Sequence, residues 1–468
     1  MTACSRMAAT TTPLSAEPAC EPPFVVAVAY SGGRDSTALL HATACVAVGG
    51  EWGPSAQVVA LHVHHGLSLM ADAWWQHTQA QCEQWAANGL PVHWQGIKLK
   101  GKPGKGESME AWARAGRYQA LADMARQVGA DVVLLAHHRQ DQAETFLLQA
   151  LRGAGVAGLS AMPTEVLRDG VVWCRPWLKQ PRAAVQAYVE AHGLSFIEDD
   201  SNADTRFGRN KLRLKVWPEM SASFDQAESA LAQSASHMAD ANACLREWLE
   251  GLWPHLLSHG VSGERLLLDA WSRLSPSAQR LVLKAWVERV SGLALSHGWI
   301  IRLQQDWLTA RSGQRWPLGG SGELRLHHAA VSWLAVQTEP QRSSGDAGCA
   351  LAASWPCTIR RAGRHVLPQG AGVVQVCSLA EGGIPLALLV DAEWRIRSGG
   401  EQFQPSLGRP ARTLKKQFQQ FDVPAWARSG PLLWWGDRLL FVPGLGLDAW
   451  ALALTGEPRV SLSWQHSL

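Results

Sequence analysis

A glycine-containing loop with one acidic residue is the segment of the chain best suited to chemistry. It reads Ser31-Gly32-Gly33-Arg34-Asp35-Ser36 and follows the apolar run 24–30. The glycines predict a tight turn with positive φ, and a helix beginning here would offer free N–H groups to an anion. A carboxylate beside a phosphate repels it unless a cation lies between them, so Asp35 implies Mg²⁺. The loop therefore predicts a phosphate site with a metal ion.

The spacing inside this loop excludes two common phosphate-binding motifs. The chain has no Gly-x-x-x-x-Gly-Lys-Ser/Thr motif, and no Gly-x-Gly-x-x-Gly follows the apolar run. The hexapeptide instead resembles the pyrophosphate loop of enzymes that cleave ATP between its α and β phosphates. The alternative is an ordinary Gly-Gly turn in which Asp35 or Ser36 caps a helix.

Two further polar clusters follow apolar runs. One contains His62 and His64, and the other contains His137, Asp141 and Glu144. The two acids are three residues apart and share a helix face, where they can hold Mg²⁺ or a substrate ammonium group; alternatively, they only complement the helix dipole. Because the histidines have neither thiolate neighbours nor a defined ligand spacing, we expect them to bind nucleotide rather than metal.

Basic residues are concentrated in three places that suit phosphate contacts. They are Arg114 and Arg117, which follow Glu110 at helical spacing, Arg209 and Arg213 in a dense basic stretch, and Arg397, Lys415 and Lys416 near Phe403, Phe418 and Phe421. Basic residues mixed with aromatic ones favour contact with an RNA backbone and its bases. The alternatives are a surface Glu–Arg pair, a solvated helix face and aromatic residues that belong to a core.

A β-α alternation over residues 24–200 must position these clusters. The pattern predicts strands at 24–30, 58–63, 92–99 and 132–136, with helices at 37–48, 74–87, 107–128 and 141–151. It indicates an α/β fold with a parallel sheet and helices on both faces. Ligands bind at the carboxyl ends of such strands, so the loop and both histidine clusters should meet at one edge of the sheet.

Length and composition set the wider organisation of the 468-residue chain. We expect a disordered tail at 1–22, a catalytic domain at 23–218, a helical domain at 219–336 with little strand character over 221–310, a linker at 337–354 and a small α/β or β-rich domain at 355–468. No apolar run reaches the ~18 residues of a membrane span. The nine cysteines form no Cys-x-x-Cys motif, which favours reduced cytosolic thiols over disulfides or a zinc site.

Taken in order, the motifs resemble the bacterial tRNA(Ile)-lysidine synthases, a family of the PP-loop ATP pyrophosphatase superfamily. The resemblance covers about 24–218 and 391–446, and it rests on the loop together with 61–66, 110–118, 136–145, 152–155, 200–202, 209–213 and 395–428. The chain departs from the family where Lys211-Leu212 replaces the expected Arg-Ile, and in its additional N-terminal tail.

The resemblance implies a cytoplasmic ligase that uses ATP and Mg²⁺. It would join L-lysine to C2 of the wobble cytidine in the CAU anticodon of tRNA(Ile), through an adenylated cytidine, with release of AMP and pyrophosphate. Reading of the codon would change from AUG to AUA. Catalysis would fall to Asp35, Asp141 and Glu144, ATP binding to the loop with His62, His64 and His137, and substrate or tRNA binding to Glu110, Arg114, Arg117, Arg209, Arg213, Arg397, Lys415 and Lys416. No protein partner is implied, and a homodimer is left open.

Three other functions fit part of the sequence. A tRNA thiolase on the same fold would need a pair of Cys-x-x-Cys motifs, which the chain lacks. An ammonia-dependent ATP pyrophosphatase with a small substrate would not need two basic stretches and a third domain. A non-catalytic RNA-binding protein would tolerate loss of the acids, yet Asp35, Asp141 and Glu144 are all present.

Overall fold

The structure is a computed structural model, in which the chain divides into two compact units, 1–246 and 247–468. It describes residues 24–465 except 54, 67, 69, 100, 102–108, 199–204, 206–207, 261–262, 336–353, 369–370, 429, 453 and 455–457. The predicted domain boundaries at 218 and 354 do not coincide with this division. The predicted tail at 1–22 lies outside the described residues, as does the predicted linker apart from its last residue.

The first unit is built on a six-stranded sheet in the order β3-β2-β1-β4-β6-β5. Its strands are β1 (Val25–Ala29), β2 (Gln57–His64), β3 (Val92–Lys98), β4 (Val132–Leu134), β5 (Glu165–Arg168) and β6 (Val171–Cys174). All neighbouring pairs are parallel except β5 with β6. The predicted parallel sheet is confirmed, and the antiparallel hairpin at its edge was not predicted.

Helices cover both faces of this sheet, as the β-α pattern predicts. They include α1 (Arg34–Val48), α2 (Ala71–Ala87), α3 (Met109–Gln127), α4 (Arg139–Leu151), α5 (Val156–Leu159) and α6 (Arg182–Ala191). Ala27 packs with α3 in one core, while its neighbour Val28 packs with α1 in another. Successive strand residues therefore point into different cores, which is why these strands are continuous apolar runs.

The segment after the sheet brings basic residues back toward it. It contains α7 (Gly208–Lys211), a π-helical turn (Leu212–Val216), α8 (Trp217–Ser223) and α9 (Ala227–Leu256), the last of which crosses the boundary between the two units. Leu212 is buried, which anchors the basic segment. π-helical turns occur often at functional sites, and this one contains Arg213.

The second unit begins with helices, which were predicted, and with an antiparallel sheet, which was not. Its helices are α10 (Leu268–Ser272), α11 (Pro276–Ser291) and α12 (His297–Thr309), and its antiparallel sheet consists of β7 (Leu257–Gly260), β8 (Gly263–Leu267), β9 (Arg315–Pro317), β10 (Gly322–His327) and β11 (Ala330–Ala335). The described part of the region up to 310 is mostly helical, as predicted, with only β7 and β8 as strands, while β9, β10 and β11 follow it. Trp271, Trp286 and Trp307 are buried in one core with sheet residues.

The C-terminal part of the second unit is rich in short strands, as predicted. They are β12 (Ser354–Pro356), β13 (Gly363–Val366), β14 (Val373–Leu379), β15 (Ile384–Pro385), β16 (Ala392–Arg395), β17 (Gln402–Phe403), β18 (Arg412–Thr413), β19 (Leu432–Trp435), β20 (Arg438–Val442), β21 (Gly446–Leu447) and β22 (Arg459–Gln465). Two short helices, α13 (Leu414–Gln420) and α14 (Ala449–Leu452), pack with them.

Candidate active site

The loop between β1 and α1 forms the predicted turn, but only one of its glycines needs a left-handed backbone. Gly32 has φ of 84°, whereas Gly33 has φ of −73° and is the N-cap of α1. A Cβ on Gly32 would lie 2.5 Å from the Ile197 side chain, so the position is closed to larger residues. The prediction of positive φ is therefore correct for Gly32 and wrong for Gly33.

Hydrogen bonds within the loop leave the start of α1 available to an anion. Ser31 Oγ accepts from the Gly33 N–H at 3.3 Å, and Ser36 Oγ donates to the Gly33 carbonyl at 2.9 Å. Neither Asp35 nor Ser36 is the N-cap of the helix, because that position is Gly33, which has no side chain to cap it. The first helical bond is donated by Thr37 N–H to the Gly33 carbonyl at 2.9 Å. The N–H groups before Thr37 thus precede the helical ladder, which suits phosphate binding.

The Asp35 carboxylate lies between the side chains of Arg34 and His138. Arg34 Nε and Nη2 are each 2.9 Å from Asp35 Oδ1, and His138 Nε2 is 3.7 Å from Oδ2. Burial raises the pKa of Asp35, but the His138 hydrogen bond and the Arg34 charge outweigh it and lower that pKa to about 2. Asp35 is therefore ionised at physiological pH.

A second acidic position in the site is the pair Asp141 and Glu144, which is bound by two arginines. Arg209 lies 2.9 Å from Asp141 Oδ1 and 3.0 Å from Glu144 Oε2, and Arg213 lies 3.1 Å and 2.8 Å from the same atoms. The Glu144 side chain is 0% exposed, so its charge must be paired. Burial raises the pKa of Asp141, but the charges of His138 and Arg209 outweigh it and lower that pKa.

Local sequence explains how α4 presents both acids. His138 is the N-cap of α4, and its backbone N–H donates to Asp141 Oδ2 at 2.9 Å in a capping box. Glu144 lies one turn later, where Gln140 Nε2 donates to its Oε1 at 3.0 Å. Asp141 therefore both starts the helix and faces the cavity, so the dipole interpretation and the functional one are compatible here.

The predicted histidines lie in one cavity, and two of them, His62 and His137, are neutral at physiological pH. His62 Nδ1 is 3.0 Å from the Tyr30 carbonyl, an arrangement in which Nδ1–H donates. Burial lowers the pKa of both His62 and His137 to about 4. His64 Nε2 lies 3.2 Å from Asp72 Oδ1, at the carboxyl end of β2. Neutral imidazoles of this kind can accept hydrogen bonds or protons.

The cavity holds about 1000 Å³ and brings most of the predicted residues together. Its lining includes Ser31, Gly33, Arg34, Asp35, Ser36, His62, His64, Arg114, Arg117, His137, Asp141, Arg209 and Arg213. Gly32 and the fully buried Glu144 lie behind this lining. The Glu110 side chain lies outside the described residues, as does the 200–202 motif.

Two residues of this site, His138 and Arg182, had no predicted role. His138 lies 3.5 Å from Asp141 Oδ2 as well as near Asp35, and so links the two acidic positions. Arg182 lines the cavity as the first residue of α6, and burial together with the Arg34 charge lowers its pKa. A cation is disfavoured at a helix N-terminus, so its position after Pro181 was a signal that it binds an anion.

The basic positions near the C-terminus lie in the second unit. Lys415 and Lys416 are exposed on α13, and the Arg397 guanidinium lies 5.4 Å from the Phe418 ring centroid. Phe403 and Phe418 are buried in a core, which favours the core alternative for these two, while Phe421 is exposed. Among the described residues, no helix is long and apolar enough to cross a membrane.

Comparisons with known proteins agree with this architecture. A family model described as a PP-loop domain matches residues 10–220, and one described as a TilS substrate C-terminal domain matches residues 392–464. The chain is 37% identical over 443 residues to a tRNA(Ile)-lysidine synthase of Ralstonia nicotianae, covering 92% of this chain and 90% of the relative. It is 35% identical over 460 residues to one of Pseudomonas aeruginosa, covering 93% and 95%. The match to a solved TilS C-terminal domain covers 24% of this chain and 97% of that domain, at 20% identity and a TM-score of 0.19.

Proposed function

Since the chain belongs to the tRNA(Ile)-lysidine synthase family, we propose that its N-terminal cavity adenylates a cytidine of tRNA(Ile) and then joins lysine to it. The enzyme is a ligase that binds ATP in its PP-loop domain and forms lysidine on tRNA(Ile). The observation that carries the proposed site is the meeting of the 31–36 loop with Asp141 and Arg182 in one cavity. We also propose a cytoplasmic location, because ATP and tRNA are found there.

The loop and the surrounding cations form the site for the ATP phosphates. The N–H groups at the start of α1 face a cavity that Arg34, Arg182 and Arg213 also line. Arg34 and Arg213 are paired with Asp35 and Glu144, and guanidinium groups beside a helix N-terminus still favour a bound anion. Pyrophosphate is such an anion, so this arrangement supports binding of the leaving group and stabilisation of its growing charge.

Asp35 fits a role as the ligand of Mg²⁺. Its carboxylate is ionised, lines the cavity and offers the hard oxygen donors that Mg²⁺ prefers. When bound, the ion would neutralise charge on the phosphates. The Oγ atoms of Ser31 and Ser36 lie 3.0 Å apart. These two hydroxyl groups would hold the phosphates beside the ion.

The C2 oxygen of cytidine is a poor leaving group, so it must be activated before lysine can replace it. Attack by the C2 oxygen on the α-phosphate of ATP forms the adenylate and releases pyrophosphate. The side-chain amine of lysine then attacks C2, and AMP leaves with that oxygen. The amine must lose a proton to react, and the acceptors within the cavity are the carboxylates and the imidazoles of His62, His64 or His137.

The acidic pair is the proposed site for the lysine cation. Asp141 and Glu144 already hold two guanidinium groups, which supports their suitability for a positive charge. Two acids and two arginines are electrically balanced, so an ammonium group enters by replacing one guanidinium. The released arginine, Arg209 or Arg213, can then turn to a phosphate, in agreement with the role its sequence context predicts.

The target base must leave the anticodon loop to enter the cavity, as readers of single-stranded RNA generally require. Other parts of the tRNA are proposed to contact Arg114 and Arg117 in the first unit, and Arg397, Lys415 and Lys416 in the second. These contacts are to phosphates, so they add affinity more than sequence selection. We propose that the wobble cytidine of a CAU anticodon is the base modified.

The assay that tests this proposal uses labelled ATP and transcribed tRNA(Ile), with and without lysine. We expect pyrophosphate release to depend on the tRNA, and transfer of labelled lysine to depend on both ATP and the tRNA. A tRNA(Ile) transcript whose wobble cytidine is replaced by uridine is the matched control and should accept no lysine. Lysine transfer to that control, or ATP cleavage independent of tRNA, would contradict the proposal.

The acidic pair is tested by Glu144→Gln, with the exposed Glu288→Gln as its control. Since the amide removes the charge that attracts an ammonium group, we expect the KM for lysine to rise roughly tenfold or more. The KM for ATP should change little. An unchanged KM for lysine would exclude Glu144 from lysine binding.

A further inference from the structure

A histidine pair and an aspartate from distant parts of the chain meet in the second unit. His327 and His328 lie at the turn between β10 and β11, and Asp422 follows α13. The Nε2 atoms of the two histidines lie 3.1 Å and 2.9 Å from the same atom, Asp422 Oδ1. The proposed tRNA and ATP contacts use none of these three residues.

The three potential ligand atoms have the spacing of a small metal site. All of them lie within 4.8 Å of one another. Zn²⁺ binds imidazole nitrogen and carboxylate oxygen at about 2.0–2.2 Å with tetrahedral geometry, which places neighbouring ligand atoms about 3.3 Å apart. The observed separations from Asp422 Oδ1, 3.1 Å and 2.9 Å, are a few tenths of an ångström shorter, so each histidine nitrogen would need to move only slightly away from that oxygen to share a metal with it.

Unusual backbone conformations bring two of these residues together. His328 has φ of 51° and Asp422 has φ of 52°, and only four non-glycine residues have positive φ in the described part of the chain. Such conformations cost free energy unless the surrounding structure holds them. Two of these four residues, His328 and Asp422, therefore contact each other at Asp422 Oδ1.

Aromatic packing fixes the orientation of one ligand. The His327 ring lies edge-on to Trp426 at 5.6 Å between centroids, and the Arg325 guanidinium lies 5.3 Å from the centroid of the same indole. The His327 side chain is 16% exposed, against 67% for His328 and 54% for Asp422. One ligand is thus held within the structure, while the other two leave room for solvent to complete the coordination.

We propose that His327, His328 and Asp422 bind a late divalent transition metal of the Zn²⁺ type, with water in the remaining position. Imidazole and carboxylate suit zinc, copper or nickel, whereas Mg²⁺ prefers a shell of oxygen atoms. The metal would link the turn between β10 and β11 to the segment after α13. It would act as a structural link within the second unit, outside the reaction itself.

The same geometry has one simpler explanation, a hydrogen-bonded latch. In that arrangement each Nε2 carries a proton and donates to Asp422 Oδ1, whereas a metal requires each Nε2 to present a lone pair. The two explanations give opposite results with metal. Zinc would displace protons and add stability in the first case, and would do neither in the second.

The experiment titrates the full-length protein with Zn²⁺ after dialysis against EDTA, and measures bound zinc and the thermal midpoint. Asp422→Asn and His328→Ala are the test variants, and the exposed His259→Ala is the control. Because the active-site histidines can also bind zinc, the decisive quantity is the difference in bound zinc between wild type and each variant. We expect wild type and control to bind one more zinc ion than either test variant, at an affinity roughly tenfold or more above the residual sites.

We also expect zinc to raise the thermal midpoint of wild type and control by several degrees more than that of the variants, because the ion binds only the folded site. Mg²⁺ should give no such difference. Equal zinc stoichiometry in wild type, Asp422→Asn and His328→Ala would overturn the proposal and leave the hydrogen-bonded latch. A variant that fails to fold is replaced by His327→Gln, for which the same difference is expected.

Discussion

Arg213 and Glu144 form a two-point ion pair, in which Nε and Nη2 of the arginine each lie 2.8 Å from a different oxygen of the glutamate. Burial lowers the pKa of Arg213, but the hydrogen bond and the charge of Glu144 outweigh it and raise that pKa. The pair joins a π-helical turn to α4 across 69 residues of sequence. It therefore holds the basic segment against the rim of the cavity.

Breaking this pair should destabilise the fold because it leaves a buried charge short of a partner. We expect Arg213→Met to lower the free energy of unfolding by about 3 kcal/mol. The double variant Arg213→Met with Glu144→Met should lose at least about 1 kcal/mol less than the sum of the two single losses. Urea unfolding measures each value, with the exposed Arg302→Met as control. Additive losses would mean that the two side chains are not coupled.

This pairing marks the limit of what the sequence predicts about the site. The β-α alternation and the phosphate loop are local patterns, so the sheet and the position of Asp35 could be predicted from them. Arg213 was predicted to bind a phosphate because local sequence records its charge but not its partner 69 residues away. The sheet of the second unit was missed for a related reason, since strands such as β9 are too short to show alternation.

Asp35 should be needed for the reaction but not for tRNA binding. Its carboxylate is ionised beside the phosphate loop, whereas the C-terminal basic residues lie in the other unit. We expect Asp35→Asn to reduce AMP release at least ~100-fold, because one preorganised charge is lost from the reacting centre. The dissociation constant for tRNA, measured by filter binding, should stay within about twofold.

The exposed Asp240→Asn is the control for this variant and should match wild type in both measurements. Loss of tRNA binding with intact ATP cleavage would contradict the proposed division between the two groups of residues.

His62 should make the stability of the protein fall at mildly acidic pH. Its side chain is buried, and burial lowers its pKa from 6.5 to about 4. The unfolded chain therefore binds the proton more readily, so the stability that neutral His62 provides is complete above 6.5 and is lost as the pH falls through about 4.

The matching test is His62→Asn, which keeps a donor for the Tyr30 carbonyl but cannot titrate. Between about pH 7 and about pH 4 we expect wild type to lose roughly 3 kcal/mol more unfolding free energy than the variant. Urea midpoints across this range measure the difference. Parallel curves for the two proteins would show that His62 does not titrate in this way.

Replacement of Arg397 or Lys415 should weaken tRNA binding, and the loss should depend on the salt concentration. Arg397 is held near Phe418 and Glu401, with its Nε 3.7 Å from Glu401 Oε2, and Glu401 Oε1 accepts the backbone N–H groups of Ser398 and Gly399 at 2.7 Å and 2.8 Å. The carboxylate thereby orders the loop that presents the arginine. A preorganised cation loses little entropy on meeting a phosphate.

Each phosphate contact contributes about 0.7–0.9 to the slope of log K against log salt concentration. We therefore expect Arg397→Ala and Lys415→Ala each to lower that slope by roughly this amount, while the KM values for ATP and lysine at saturating tRNA stay unchanged. The exposed Arg273→Ala is the matched control in the same unit. Weaker binding without a change of slope would indicate that these side chains support the fold rather than contact phosphate, because only a direct ionic contact releases counterions.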